Sequence, residues 1–374
     1  MKKQETPDIN ILAGQRLMVG FDGTEFNSEL QYLINDLKVG GIILFAGNIE
    51  SALQVKKLCR DAQDYAASCG LPPLFIAVDQ EGGVVARLKP PDFTSFPGNP
   101  HIKNLDDAIH FATITAQELQ EVHINMDFAP VMDSIPCFNE EIKREKDEGN
   151  GEKNGEGNCI KGQTFEETKK FNHLQEKKPF ESIMKERAFK GSPRQVGELG
   201  AQVITTLQNN GVMAVAKHFP GIGRTTLDSH LDLPVLDAAP ELLASSDIIP
   251  FKTAVKAGVS GIMLSHILYS KIDPKWPASL SRKIAKKLLR DELGYNGLVM
   301  TDDLDMKAIK CDIRTSITQI LDAEVDLALI CHKGPDIEKA FMLIKKLISK
   351  NELLLEKATE SWQRIYSLKK KYLH

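Results

Sequence analysis

Residues 212–230 read VMAVAKHFPGIGRTTLDSH, and this stretch decides how the rest of the chain is organised. Val212 to Ala216 is a short, wholly apolar run bounded by Gly211 and Lys217, the pattern of a strand buried on both faces. Such a strand delivers Lys217 and His218 at its C-terminal end. Pro220, Gly221 and Gly223 then interrupt regular structure, because proline lacks an amide donor and glycine tolerates positive φ. The segment beyond is expected to be a mobile loop carrying Asp228 and His230. An Asp close to a His can orient the ring and raise its basicity, as a general acid/base requires. Any one of these residues alone is more often structural; their density at one strand end singles the stretch out.

Working outward, apolar runs of strand length alternate with longer helical patterns. The expected strands cover 16–19, 41–45, 74–78, 125–129, 212–216, 261–264, 298–300 and 327–330. Helical patterns lie between them at 28–37, 52–67, 108–122, 194–209, 252–257, 281–292 and 315–322, and two more follow at 335–350 and 352–370. Apolar strands each followed by a helix imply a parallel sheet covered on both faces. This number of units favours closure into a (β/α)8 TIM-type barrel, one domain over 1–374. A doubly wound open sheet is the alternative, but VGFDGTEF after the first run lacks the glycine spacing of its phosphate turn. A barrel also places polar functional residues where strands end. Asp79 ends the third run, Asp127 sits in the fourth, Ser265 and His266 end the sixth, and Asp302 and Asp303 end the seventh.

One region departs from the rhythm. Between about 138 and 180 lies an insertion whose 140–158 part, EEIKREKDEGNGEKNGEGN, is charged, glycine-rich and nearly devoid of aliphatic residues. It cannot bury enough surface to offset its ordering entropy and is expected to be disordered.

At 374 residues, 42% hydrophobic and 26% charged, the composition is that of an ordinary soluble protein with ample material for a core. A formal net charge of -4 argues against nucleic acid as the main partner. No stretch is apolar enough for a bilayer span, and Asp8, Asn10 and Gln15 interrupt any secretory core near the start. Cys59, Cys69, Cys137, Cys159, Cys311 and Cys331 are scattered without zinc spacing, so they read as reduced thiols of a cytoplasmic protein with no metal.

Two further motifs carry chemistry. In VDQEGGVVARL, Asp79 and Arg87 can accept from and donate to hydroxyls, and the glycines let the backbone turn close to a ligand. Asp79 as a helix cap and Arg87 as a surface ion-pair partner are the structural alternatives. In VMTDDLDMKAI, Asp302 follows a buried strand, where a carboxylate is rigid and partly desolvated as a nucleophile must be. Asp303 is expected to cap the next helix and Asp305 to be solvated. A carboxylate nucleophile facing an Asp and a His on a loop has the outline of retaining glycoside hydrolysis, although two carboxylates are more usual.

The set DQEGG, KHFPGxG followed by DSH, and TDDLxM, in this order, resembles family 3 glycoside hydrolases, in their β-N-acetylglucosaminidase branch. The resemblance runs from Ile11 to about Leu368, interrupted by the charged insertion. It implies a (β/α)8 barrel, retaining hydrolysis of terminal β-linked N-acetylglucosamine from a small carbohydrate substrate, and no metal or organic cofactor. It makes Asp302 the nucleophile, His230 the general acid/base and Asp228 the carboxylate that positions it. Sugar binding falls on Asp79, Arg87, Arg187 from ERAF, Lys217 and His218. Because the chain stops after the barrel, it resembles the single-domain bacterial form associated with cytoplasmic recycling of cell-wall muropeptides. Ile222 stands where the family commonly has His, Arg224 where an acidic or small residue is frequent, and Val84 where an arginine is usual. A phosphorylase, a β-glucosidase and a silent sugar-binding barrel stay open as alternatives.

Overall fold

The structure is a computed structural model that describes residues 7–136, 181–229 and 231–373. The expected insertion and His230 therefore lie outside the described residues.

Eight parallel strands close into a barrel: β1 Leu17–Val19, β2 Gly41–Leu44, β3 Phe75–Val78, β4 Met126–Asp127, β5 Met213–Phe219, β6 Gly261–Leu264, β7 Leu298–Asp303 and β8 Leu327–Ile330. Neighbours in sequence are neighbours in the ring, and β1 pairs with β8 to complete it. A closed ring leaves no edge strand, so the (β/α)8 reading stands over the open sheet.

Alternation sorts the side chains into two layers. Phe75 and Ala77 of β3, Met213 and Val215 of β5, and Leu298 and Met300 of β7 fill the barrel, whereas Ile76, Ala214 and Val299 face the surrounding helices. Helices Ala52–Ser68, Leu105–Glu121 and Pro193–Asn209 supply apolar stripes to that outer layer, each started by a capping side chain: Ser51, Asn104 and Ser192 accept the third amide of their helices. The expected helix over 281–292 is observed as a π-helix, Lys283–Glu292.

Two strands run further than their apolar residues predict. β5 continues through Lys217 and His218 to Phe219, and β7 continues through Thr301 to Asp303. Both extensions carry a register shift, against β6 in one case and β8 in the other. The polar residues expected just past these strands are thus inside them, held by ladder hydrogen bonds. The fourth strand is shorter than expected, two residues in place of 125–129.

Candidate active site

The inward parity of each strand, continued by one step at its C-terminal end, produces the site. β3 runs Phe75, Ala77 and then Asp79; β5 runs Met213, Val215 and then Lys217; β7 runs Leu298, Met300 and then Asp302. Where the apolar series stops, these three side chains form the wall of a cavity of about 160 Å³ at the top of the barrel. Its floor and far side are apolar: Ile43, Phe128, Met263, Leu329, with Phe45 and Cys331 above them. Arg87, Arg187, His218 and Asp303 complete the polar part.

The polar wall is an ion network. Lys217, 2% exposed, lies with Nζ 2.6 Å from Oδ1 of Asp79 and 2.6 Å from Oε1 of Glu81. Arg187 forks onto Glu81, Nη2 to Oε1 at 2.7 Å and Nε to Oε2 at 3.0 Å. Arg87 reaches Oδ2 of Asp79 at 3.2 Å, with its guanidinium 5.5 Å from the centre of the Phe45 ring. Burial would raise the Asp79 carboxyl, but Lys217, Arg87 and Arg187 outweigh it and hold the group down to about 2. Burial likewise opposes the charge on Lys217, and the carboxylates of Asp79 and Glu81 overcome it, so its acidity stays below that of an ordinary lysine. Neither the helix-cap role for Asp79 nor the surface role for Arg87 describes what these residues do.

His218 is fixed from behind. Its Nδ1 lies 2.8 Å from Oδ2 of Asp133, whose Oδ1 accepts the Ile222 amide at 2.8 Å. The first part of the chain after β5 is thereby anchored at Ile222. Arg224 donates through Nε to Asp247 at 2.9 Å and through Nη2 to Ser246 at 3.0 Å, and Thr225 donates to the Ile222 carbonyl at 2.7 Å. A Cβ on Gly223 would overlap the Ser134 carbonyl, so only glycine lets the two backbones approach this closely. Ser229 accepts the Ala308 amide at 3.1 Å, which joins the far part of the loop to the chain after β7.

Asp302 accepts the amide of Asp303 through Oδ1 at 2.8 Å. Burial pushes its carboxyl up, but His266, His218, the Asp303 amide and Lys217 together hold it below the ordinary carboxylate range. A desolvated carboxylate that stays ionised is competent as a nucleophile. His266, completely buried, meets Ser279 through Nδ1 at 2.7 Å and donates through Nε2 to the Asp303 carbonyl at 2.7 Å, so it steadies the peptide that carries Asp302. Asp303 caps no helix: its Oδ1 accepts the amides of Asp305 and Cys331, both at 3.1 Å, and the next helix, Ile313–Asp322, is capped by Asp312. Asp305 is exposed, as expected.

The structure thus brings Asp79, Arg87, Arg187, Lys217, His218 and Asp302 around one cavity. Asp228 is not among the described residues that line it, and His230 lies outside the described residues. Sequence reasoning missed Glu81 and Asp133. Glu81 sits in the DQEGG motif and Asp133 ends DFAPVMD, residues 127–133, but each gains meaning only from partners far along the chain. Asp303, Asp305 and His332 could together hold a metal ion, their ligand atoms lying within 4.8 Å of one another, with the imidazole 3.6 and 3.4 Å from the two carboxylates.

A closed (β/α)8 barrel whose strand tops enclose a cavity with one charged wall, one apolar wall and an ionised carboxylate defines a barrel enzyme. The model of the glycosyl hydrolase family 3 N-terminal domain matches residues 10–144 and 176–368, its gap falling inside the expected insertion. The chain belongs to glycosyl hydrolase family 3. A β-hexosaminidase of Nitrosomonas eutropha is 31% identical over 331 residues, which cover 86% of this chain and 81% of that one. The solved structure of a family 3 β-N-acetylglucosaminidase from Paenibacillus sp. is 32% identical with a TM-score of 0.82; the match covers 98% of this chain and 63% of that one. A β-N-acetylhexosaminidase from Beutenbergia cavernae superposes with a TM-score of 0.80 over 98% of this chain and all of its own, and at 22% identity that likeness shows the fold.

Proposed function

We propose that the protein is a retaining glycosidase that removes terminal β-linked N-acetylglucosamine through a covalent glycosyl-enzyme on Asp302. The observation that carries this reading is the placement of Asp302 in one cavity with the Asp79, Lys217, Arg187 and Arg87 network. Such a network offers charge-assisted hydrogen bonds to ring hydroxyls, which would hold the anomeric carbon against one carboxylate oxygen. Asp302 attacks that carbon as the glycosidic bond breaks, and His230, oriented by Asp228, protonates the departing oxygen. In the second step His230 takes a proton from water, which displaces Asp302 and restores the configuration at carbon. The reading is supported by relatives named β-hexosaminidase across most of the chain. We propose cytoplasmic recycling of cell-wall muropeptides as the setting on the motif resemblance; among the described residues Cys59, Cys69, Cys311 and Cys331 are free, which accords with a reducing compartment.

The test is release of chromophore from an aryl β-N-acetylglucosaminide by the wild type and by Asp302→Ala. Loss of at least about 1,000-fold is expected, since the covalent route disappears with the nucleophile. Near-normal turnover in the variant overturns the assignment. Added phosphate should leave the product as free sugar; formation of sugar 1-phosphate would make the protein a phosphorylase.

A further inference from the structure

Glu81 is a carboxylate that the two displacement steps do not use. It is 2% exposed and does not line the cavity, yet its two oxygens take three short contacts from cations that do: Lys217 Nζ at 2.6 Å, Arg187 Nη2 at 2.7 Å and Arg187 Nε at 3.0 Å. Lys217 is thereby shared between Asp79, which faces the cavity, and Glu81, which stands behind it. The carboxylate is itself fixed by the turn that follows. Gly82 and Gly83 have φ of 78° and 63°, and a Cβ on Gly83 would meet the Pro97 carbonyl at 2.9 Å, so this backbone has little room to move.

We propose that Glu81 is a positioning residue: it holds the Lys217 ammonium and the Arg187 guanidinium side by side at the sugar-facing wall, leaving Asp79 available to accept from a ring hydroxyl. The inference rests on the reading of this cavity as a sugar site. The physical reason is charge balance. Lys217, Arg187 and Arg87 are three cations packed around two anions, Asp79 and Glu81. With Glu81 neutral, Asp79 alone would face all three, and Lys217 and Arg187 would repel across a poorly solvated gap. Arg187, with 23% of its side chain exposed, has a route outward, whereas Lys217 has none.

Glu81→Gln keeps the shape and removes the charge. For hydrolysis of an aryl β-N-acetylglucosaminide, KM should rise about 30-fold with kcat changed less than about threefold, as for loss of one partner of a buried charge pair. Because burial would then be less opposed at Lys217, a new alkaline limb should enter kcat/KM above neutral pH, one that the wild type lacks in the same range. Glu81→Asp, which retains the charge, should show a smaller KM change and no new limb, and it keeps the inference testable if the glutamine variant fails to fold. Affinity for free N-acetylglucosamine, measured by calorimetry, should fall in parallel with the rise in KM. An unchanged KM and affinity in Glu81→Gln, or a loss confined to kcat, overturns the inference. If the wild type turns over no β-N-acetylglucosaminide, the functional reading fails, and calorimetry with a panel of monosaccharides still decides whether Glu81 governs binding in the cavity.

Discussion

Asp133 and His218 meet at 2.8 Å between Oδ2 and Nδ1, and the same carboxylate holds the amide of Ile222 at 2.8 Å. One buried side chain just beyond the fourth strand therefore holds both the imidazole that lines the cavity and the first turn of the loop carrying Asp228. With Nδ1 engaged, Nε2 is the ring nitrogen that can meet a ligand. Ile222, 5% exposed, packs into the core while its main-chain amide bonds to Asp133. Asp133→Ala should lower kcat/KM by about 100-fold, since it leaves a ring nitrogen and a buried amide without their acceptor. Asp133→Asn, which can still accept from Ile222, should lose about tenfold. Equal kinetics in the two variants would show that the link to the loop contributes nothing.

The assignment of His230 as acid/base makes a prediction about leaving groups. A 4-nitrophenolate needs little protonation, whereas the alcohol of a natural disaccharide leaves only as its proton arrives. His230→Ala should therefore lose about tenfold on a nitrophenyl glycoside and at least about 1,000-fold on a disaccharide. Losses of similar size on both substrates would remove the acid role. Asp228→Ala should follow the same pattern more weakly, through misorientation of the ring.

The barrel was legible because its strands are apolar on both faces. β6 and β8 begin and end as the pattern marks them, each being four apolar or glycine residues entered from a polar neighbour, Ser260 or Asp326. β5 and β7 were cut short for an equally physical reason: a reading that ends a buried strand at its first charged or polar side chain stops at Ala216 and Met300. Lys217 and Asp302 nevertheless continue the inward parity, and the ladder carries them. Asp79, Lys217 and Asp302 were visible as polar residues at strand tops. Glu81 and Asp133 were not, because a buried carboxylate is recognised by its partners, and Arg187 lies 106 residues from Glu81 while His218 lies 85 from Asp133. Nothing local in DQEGG distinguishes the Asp that lines the cavity from the Glu that stands behind it.

The charge network also ties stability to pH. The Asp79 carboxyl is held at about 2 in the folded protein against an ordinary value of 3.8. A depressed value means that the unfolded chain takes up the proton first as pH falls. The contribution is complete above about pH 4, is lost progressively as pH falls through about 2, and amounts to about 2 kcal/mol. Melting temperature measured from pH 5 to pH 2 should fall less steeply for Asp79→Asn than for the wild type, although the variant starts lower. Parallel curves would show that other groups dominate the acid limb.

At the opposite end of the barrel, Asp326 fastens three elements. It is fully buried just before β8; its Oδ2 accepts from Arg290 Nη2 at 2.7 Å and from the Val299 amide at 2.9 Å, and its Oδ1 accepts from Arg364 Nε at 3.0 Å. Arg290 belongs to the π-helix Lys283–Glu292 and Arg364 to the last helix, Glu352–Tyr372, which covers the barrel floor and sends Lys369 onto Gln15 and the Gly40 carbonyl at 2.7 and 2.8 Å. Burial raises the Asp326 carboxyl, and Arg290, Arg364, the Val299 amide and Arg16 together bring it below its ordinary value. Asp326→Ala removes the carboxylate shared by two guanidinium groups, of which Arg290 keeps only backbone carbonyls, and leaves the Val299 amide without its side-chain acceptor, which costs about 3–5 kcal/mol. Melting temperature should drop by on the order of 5–10 °C. Asp326→Asn, which keeps an acceptor for Val299, should fall between the variant and the wild type. Because Asp326 lies at the N-terminal end of β8, away from the strand tops that carry Asp302, KM and kcat at about 25 °C should stay within twofold of the wild type in both variants. A drop in kcat without a drop in melting temperature would mean that the barrel floor communicates with the site, and would remove the purely structural role given to Asp326.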